Sequence, residues 1–139
     1  MELEYRSVPL IKQVCDGVER EINNALREQN VTYSQIQLLL RLSEVGNGSL
    51  PFKELEARLG VSQAAVARLV KFLEQKDFLT VEEDLNDRRV KHARITPLGQ
   101  SKCDEAHEHM DNIERKLGLT PVEAQLLYEL LRKIRENLK

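Results

Sequence analysis

The chain has 139 residues, of which 32% are charged and 41% hydrophobic, with no tryptophan and a net charge of −2. That balance describes one solvated, helix-rich domain, or a small domain with a dimerisation element, and argues against disorder. No apolar run nears the ~18–20 residues of a membrane span, and the start MELEYRSVPL is too acidic for a signal peptide, so a cytoplasmic protein with no membrane partner is expected.

In chain order, the spacing of Ile11, Val14, Cys15, Val18, Ile22 and Leu26 predicts a first helix from about Val8 to Arg27. In VTYSQ, Thr32 and Gln35 have capping-box spacing, so a second helix starts at Tyr33 and turns Ile36, Leu39, Leu40 and Leu42 inward. GNGS at residues 46–49 ends it. PFKELEARL predicts a short helix with proline in its first turn and Phe52, Leu55 and Leu59 on one face. After a break at Gly60 and Val61, Ser62 caps a longer helix to about Lys76. Val66, Leu69, Val70 and Leu73 face its core, and Gln63, Ala64, Ala67, Arg68 and Lys71 do not. Short helix, tight turn and longer helix form a helix-turn-helix. FLTVEE and VKHARI then read as a hairpin around a polar loop. Thr96-Pro97 starts a helix to about Lys116, and Thr120, Pro121 and Glu123 start a last one with Val122, Leu126, Leu127, Leu130, Leu131, Ile134 and Leu138 as its apolar face.

Net charge alone speaks against a nucleic-acid partner, but its distribution reverses that. Residues 1–50 carry five basic and seven acidic side chains, 51–100 nine and eight, and 101–139 seven and eight. The positive middle holds two local patches, Arg68, Lys71 and Lys76 against Glu74, and Arg88, Arg89, Lys91 and Arg94 against Asp87. A helix that begins with small Ala64, Ala65 and Ala67 can sit deep in a major groove, where Gln63 can pair with adenine and Arg68 with guanine or phosphate. A narrow hairpin loop can lie along a minor groove whose negative potential favours an arginine.

The segments VTYSQIQLLLRL, LPFKELEARLGVSQAAVARLVKFLEQKDFL and DLNDRRVKHARITPLG resemble the MarR family of bacterial winged-helix transcriptional regulators, most specifically through Asp87, Arg88, Arg89, Thr96 and Gly99. The resemblance covers nearly the whole chain. It implies a mainly α fold with a small β-hairpin wing. Residues 32–96 would form the winged helix-turn-helix, and residues 1–31 and 97–139 the dimerisation helices. A homodimer on a pseudo-palindromic operator follows, with half-sites about one helical turn apart. By the same resemblance Arg89 enters the minor groove, Asp87 braces the wing arginines, Arg88 touches phosphate, and Ser62, Gln63, Ala64, Ala65 and Arg68 occupy recognition-helix positions. Asp77 stands where the family usually has glycine, which implies a left-handed backbone there that aspartate tolerates less easily, and Glu82, Glu83 and Asp84 stand where relatives often carry basic residues.

Cys15 occupies a helix in which some relatives carry a peroxide-sensing thiol, but Ile11, Val14 and Val18 around it favour a core or dimer-interface cysteine. Cys103, His107 and Asp111 share a helical face, as in some zinc-responsive relatives, yet two adjacent turns offer two ligands at most. The expectation is no metal and no cofactor, with Cys15 and Cys103 as reduced thiols. His92 and His109 have no evident partner. The resemblance leaves small-molecule control open: relatives often bind an effector in a crevice between the dimer helices and the winged domain, which here would draw on the first, second and fifth helices. A protein-binding winged helix is the rival reading, favoured by Glu82 and Glu83. An enzyme has no support, since there is no phosphate loop, nucleophile with a histidine, or carboxylate pair in a signature spacing.

Overall fold

The protein is described by a computed structural model covering residues 6–139; the first residues of MELEYRSVPL, on which the reading of the start rests, lie outside the described residues. In order come α1 (Ser7–Gln29), α2 (Tyr33–Ser43), β1 (Ser49–Pro51), α3 (Phe52–Leu59), α4 (Gln63–Gln75), β2 (Leu79–Glu83), β3 (Lys91–Ile95), α5 (Pro97–Lys116) and α6 (Pro121–Asn137). Among the described residues no helix is long and apolar enough to cross a membrane.

The core gathers around α2. Its capping box forms as the sequence predicts, with Thr32 Oγ1 accepting from the Gln35 amide and Gln35 Oε1 from the Thr32 amide. Ile36, Leu39 and Leu42 are buried, but so is Leu38, outside the predicted stripe, while Leu40 is only half-buried. The reason is topological: α2 touches α1, α3, α4, α5 and β3, so it is enclosed on more than one side and a single-face reading undercounts its core.

α2 ends at Ser43 with Glu44 as a right-handed C-cap, ahead of GNGS, so the left-handed Gly48 at φ 67° shapes the turn that follows and is not the helix exit. The chain then enters β1, a strand the sequence reading lacks. It pairs antiparallel with β3, Leu50 opposite Ala93 and Pro51 opposite His92, and completes a sheet in the order β1-β3-β2. Three residues are too few for an alternating pattern to be legible. Pro51 belongs to this edge strand and is the N-cap of α3, not a residue of its first turn.

Gly60, left-handed at φ 64°, makes the turn between α3 and α4, and Ser62 Oγ caps α4 by accepting from the Ala65 amide at 3.1 Å. Val66, Val70 and Leu73 anchor α4 with 1%, 3% and 0% exposure. At ~1.5–3 kcal/mol for each fully buried aliphatic side chain, they fix which face α4 turns outward. Past α4, Asp77 adopts φ 63°, the left-handed conformation expected at that position and more costly for aspartate than for glycine.

The threonine and glycine of TPLG hold α5 against this bend. Thr96 Oγ1 donates to the Asp77 carbonyl at 2.6 Å and accepts from the Gly99 amide at 3.1 Å. A Cβ on Gly99 would lie 2.1 Å from the Phe78 carbonyl oxygen, so only glycine allows the approach.

The two flanking helices differ from this core. On α1, Leu26 is buried and Val18 and Ile22 are half-buried, whereas Val8, Leu10, Ile11, Val14 and Cys15 are exposed. On α6, whose capping box joins Thr120 and Glu123, every residue is exposed. Cys15 is therefore not a core residue of the protomer.

Candidate nucleic-acid interface

The inward face of α4 leaves Gln63, Ala64, Ala67, Arg68 and Lys71 in solvent, with Ala65 half-buried at the first turn. Arg68, Lys71 and Arg88 make no ion pair among the described residues, so their charges are available to a ligand. An open groove separates α4 from the stem of the hairpin, lined by Ala67, Lys71, Glu74, Val81, Glu83 and Lys91.

The hairpin forms over the predicted segments, with Val81 opposite Ala93, Glu82 opposite His92 and Glu83 opposite Lys91. Its loop is held by two aspartates. Asp87 Oδ1 accepts from the Arg89 amide at 3.0 Å and from Arg89 Nε at 3.1 Å, while Oδ2 accepts from Nη2 at 3.2 Å. These bonds hold the Asp87 carboxyl below its ordinary 3.8, the guanidinium being the larger cause. Although paired, the Arg89 side chain stays 91% exposed, a guanidinium with fixed direction and open donors. Arg88 does not share the Asp87 carboxylate. Leu85, at the tip, is fully exposed.

Asp84 is the second loop-holding aspartate, and the sequence reading missed it. Its Oδ2 accepts from the amides of Asn86 at 2.9 Å and Asp87 at 3.1 Å, and its Oδ1 lies 3.0 Å from His92 Nε2. These contacts, with the Asn86 amide first, lower its pKa. Aspartate commonly bonds backbone amides two and three residues on, so the turn was readable from D-x-N-D; the His92 contact depends on strand register and was not.

Of the two glutamates before Asp84, Glu82 also has a structural task. Glu82 Oε1 takes the Arg94 Nε at 3.0 Å, and Arg94 Nη1 donates to the Asn47 carbonyl at 2.8 Å, tying the wing to the turn after α2. Arg94 therefore leaves the basic patch assigned to residues 86–94, and the support Glu82 lent to a protein-binding surface goes with it.

A sequence model of the MarR family matches residues 29–90. Ninety-six residues align at 35% identity with the transcriptional regulator AdcR of Streptococcus pneumoniae, covering 69% of this chain and 64% of that protein. Over 93 residues the identity is 32% with the uncharacterised HTH-type transcriptional regulator YwaE of Bacillus subtilis, covering 66% and 54%.

The chain belongs to the MarR family.

It spans less than two thirds of the length of these MarR-type relatives. The fold extends further than the aligned sequence: Sco3205, a MarR family transcriptional regulator of Streptomyces coelicolor solved in complex with DNA, superposes with a TM-score of 0.81 over 100% of this chain and 90% of that one, at 22% identity.

Two further features lie outside α4 and the wing. Cys103 is buried at 0% exposure, and desolvation pushes its thiol up to about 11, so it faces the core instead of sharing a surface with exposed His107 and Asp111. Among the described residues no three His, Cys, Asp or Glu side chains gather as metal ligands. A crevice of about 70 Å³ lies among α1, α2 and α5, lined by Ile22, Leu26, Tyr33, Ile36, Leu40 and Met110 among others. At its edge buried Gln29 donates from Nε2 to the Lys102 carbonyl and the Glu105 carboxylate, while its Oε1 has no partner among the described residues.

Proposed function

We propose that this chain is a sequence-specific transcriptional regulator of double-stranded DNA, a repressor by the habit of its family, acting as a homodimer. The carrying observation is that α4 turns unpaired Arg68 and Lys71, with Gln63, Ala64 and Ala67, to solvent beside a wing that holds Arg89 outward. In this reading Ser62, Gln63, Ala64, Ala65 and Arg68 meet the major groove, Lys71 and Arg88 meet phosphate, and Arg89 enters the minor groove. Neutralised phosphates supply much of the affinity and make it fall with salt. The solved DNA complex of Sco3205, built on the same fold, supports the assignment.

Residues 32–96 would read DNA, and 1–31 with 97–139 would dimerise, because the exposed apolar faces of α1 and α6 need a cover that a second copy supplies by symmetry. Cys15 would then lie at or beside the interface. An effector would act at the crevice among α1, α2 and α5. At about 70 Å³ the crevice is smaller than the ~300 Å³ of an ordinary ligand pocket, so binding has to open it. Opening displaces α1 and α5 from α2, shifting the population toward a spacing of recognition helices unsuited to DNA.

Selection of bound duplexes from random DNA tests the proposal. Enrichment of a two-fold-symmetric motif is the expected result. No enrichment at moderate salt would remove the DNA-binding reading and promote a protein partner.

A further inference from the structure

The wing contains a chain of contacts that the DNA reading does not use. His92 lies at the base of the hairpin, on β3, with its Nε2 3.0 Å from Asp84 Oδ1. The other oxygen of Asp84 gathers the amides of Asn86 and Asp87, and the Asp84 amide donates to the Val90 carbonyl at 2.8 Å, closing the loop on itself. Asp87, whose backbone is thereby placed, carries Arg89 on its carboxylate. The path from imidazole to guanidinium thus runs through two carboxylates, those of Asp84 and Asp87, and the turn of backbone between them.

Resting on the DNA-binding reading above, we infer that Asp84 and His92 are positioning residues for Arg89, and that protonation of His92 tightens the wing and strengthens DNA binding as pH falls.

Histidine is the side chain that changes charge between about pH 5 and 8. Neutral and in its Nε2–H tautomer, His92 gives the Asp84 carboxylate a hydrogen bond; protonated, it always carries that donor and adds the Coulomb attraction of an ion pair. The surroundings leave this pair electrically prominent. Opposite His92 on β1 is Pro51, without charge, and on β2 is Glu82, whose carboxylate already holds Arg94. Lys91 is the next residue on β3 and is exposed. The helices α2 and α3 pack on β3, where Ala93 is the buried residue, and α3 opens with exposed Lys53 and Glu54, one charge of each sign. The His92 and Asp84 side chains are 26% and 30% exposed, so their interaction is screened less than that of a fully solvated pair. If DNA is bound by the tightened wing, binding takes up a proton, and linkage makes affinity rise with acidity.

The test has two arms. In the first, affinity for the selected duplex is measured at about pH 8 and about pH 5.5. Wild type should bind about three- to tenfold more tightly at the lower pH. His92→Gln, which keeps an N–H donor without the charge, should match wild type at the higher pH and lose the gain. Asp84→Ala should bind nearly as weakly as Arg89→Ala at both. A pH gain retained by His92→Gln would overturn the inference. So would a salt slope that steepens by about one on acidification, which would make His92 a phosphate contact and not a positioning residue.

The second arm needs no DNA. In the free protein, amide protection of Asn86 and Asp87, corrected for intrinsic exchange, should rise as the His92 imidazole takes its proton. Unchanged protection would overturn the inference. If wild type binds no duplex at either pH, the DNA reading fails by itself, and this arm still decides the pair.

Discussion

The winged region and the flanking helices use similar hydrophobic patterns with opposite results. Leu38, Leu39, Leu42, Leu55 and Leu73 are fully buried within one protomer. On α6, Val122, Leu126 and Leu130 are 79%, 56% and 48% exposed, and Leu138 at its C-cap is 80% exposed. The contrast teaches that the protomer is complete where it would meet DNA and incomplete where it would meet its copy. One region draws stability from its own core, and the other should draw it from concentration.

The largest expected effect breaks the incomplete region. Leu127→Asp with Leu131→Asp, one turn apart on α6, should convert a dimer to monomers in sedimentation. Operator affinity should fall by at least ~100-fold, because two tethered half-site contacts become independent. Wild-type melting temperature should rise with protein concentration, and the double variant's should not. A monomeric wild type would erase the comparison.

In the complete region, Leu73→Ala should cost ~2–5 kcal/mol in denaturant titration at any concentration, from lost burial and the cavity left behind. The wing should behave differently from both. Arg89→Ala should lose ~1–3 kcal/mol of operator affinity while leaving melting and dimerisation unchanged, because its contacts are to the exposed loop alone. Equal binding by variant and wild type across a salt titration would remove Arg89 from the interface.

A smaller effect sharpens the description of the bend before β2. Asp77→Gly should stabilise by ~0.5–1 kcal/mol, since φ is positive there and the bonds at this residue are made by its backbone. The smallest effect concerns acid. Asp84 and Asp87 both titrate below their ordinary 3.8, so the stability they contribute is fully present above that value. It is lost as pH falls through their lowered values. Acid unfolding curves of wild type and Asp87→Asn should therefore differ above pH 3.8 and converge as pH falls below the lowered Asp87 value.

Much of the fold was legible from local signals. Caps at Thr32, Ser62, Thr96 and Thr120 act within three residues, so sequence shows them directly. The outward side chains of α4 follow from periodicity, and the left-handed bend at Asp77 from position. What escaped was set by partners distant in the chain. β1 exists because β3 supplies its hydrogen bonds, and Leu38 is buried because α2 is surrounded. Cys103 looked like one of three polar residues on a helix face until packing turned it into the core.

By itself, then, the sequence determined the helices, their caps, the hairpin, the exposed face of α4 and the DRR loop, because each depends on residues within a few positions of one another. The tertiary structure decided which charges are free. Arg94 is spent on Glu82 and the Asn47 carbonyl, Arg89 is aimed by Asp87, and His92 is joined to Asp84 across the hairpin. Charge can be counted along a chain, but its availability depends on pairing in space, and strand register alone brings residues 82 and 94, or 84 and 92, within bonding distance.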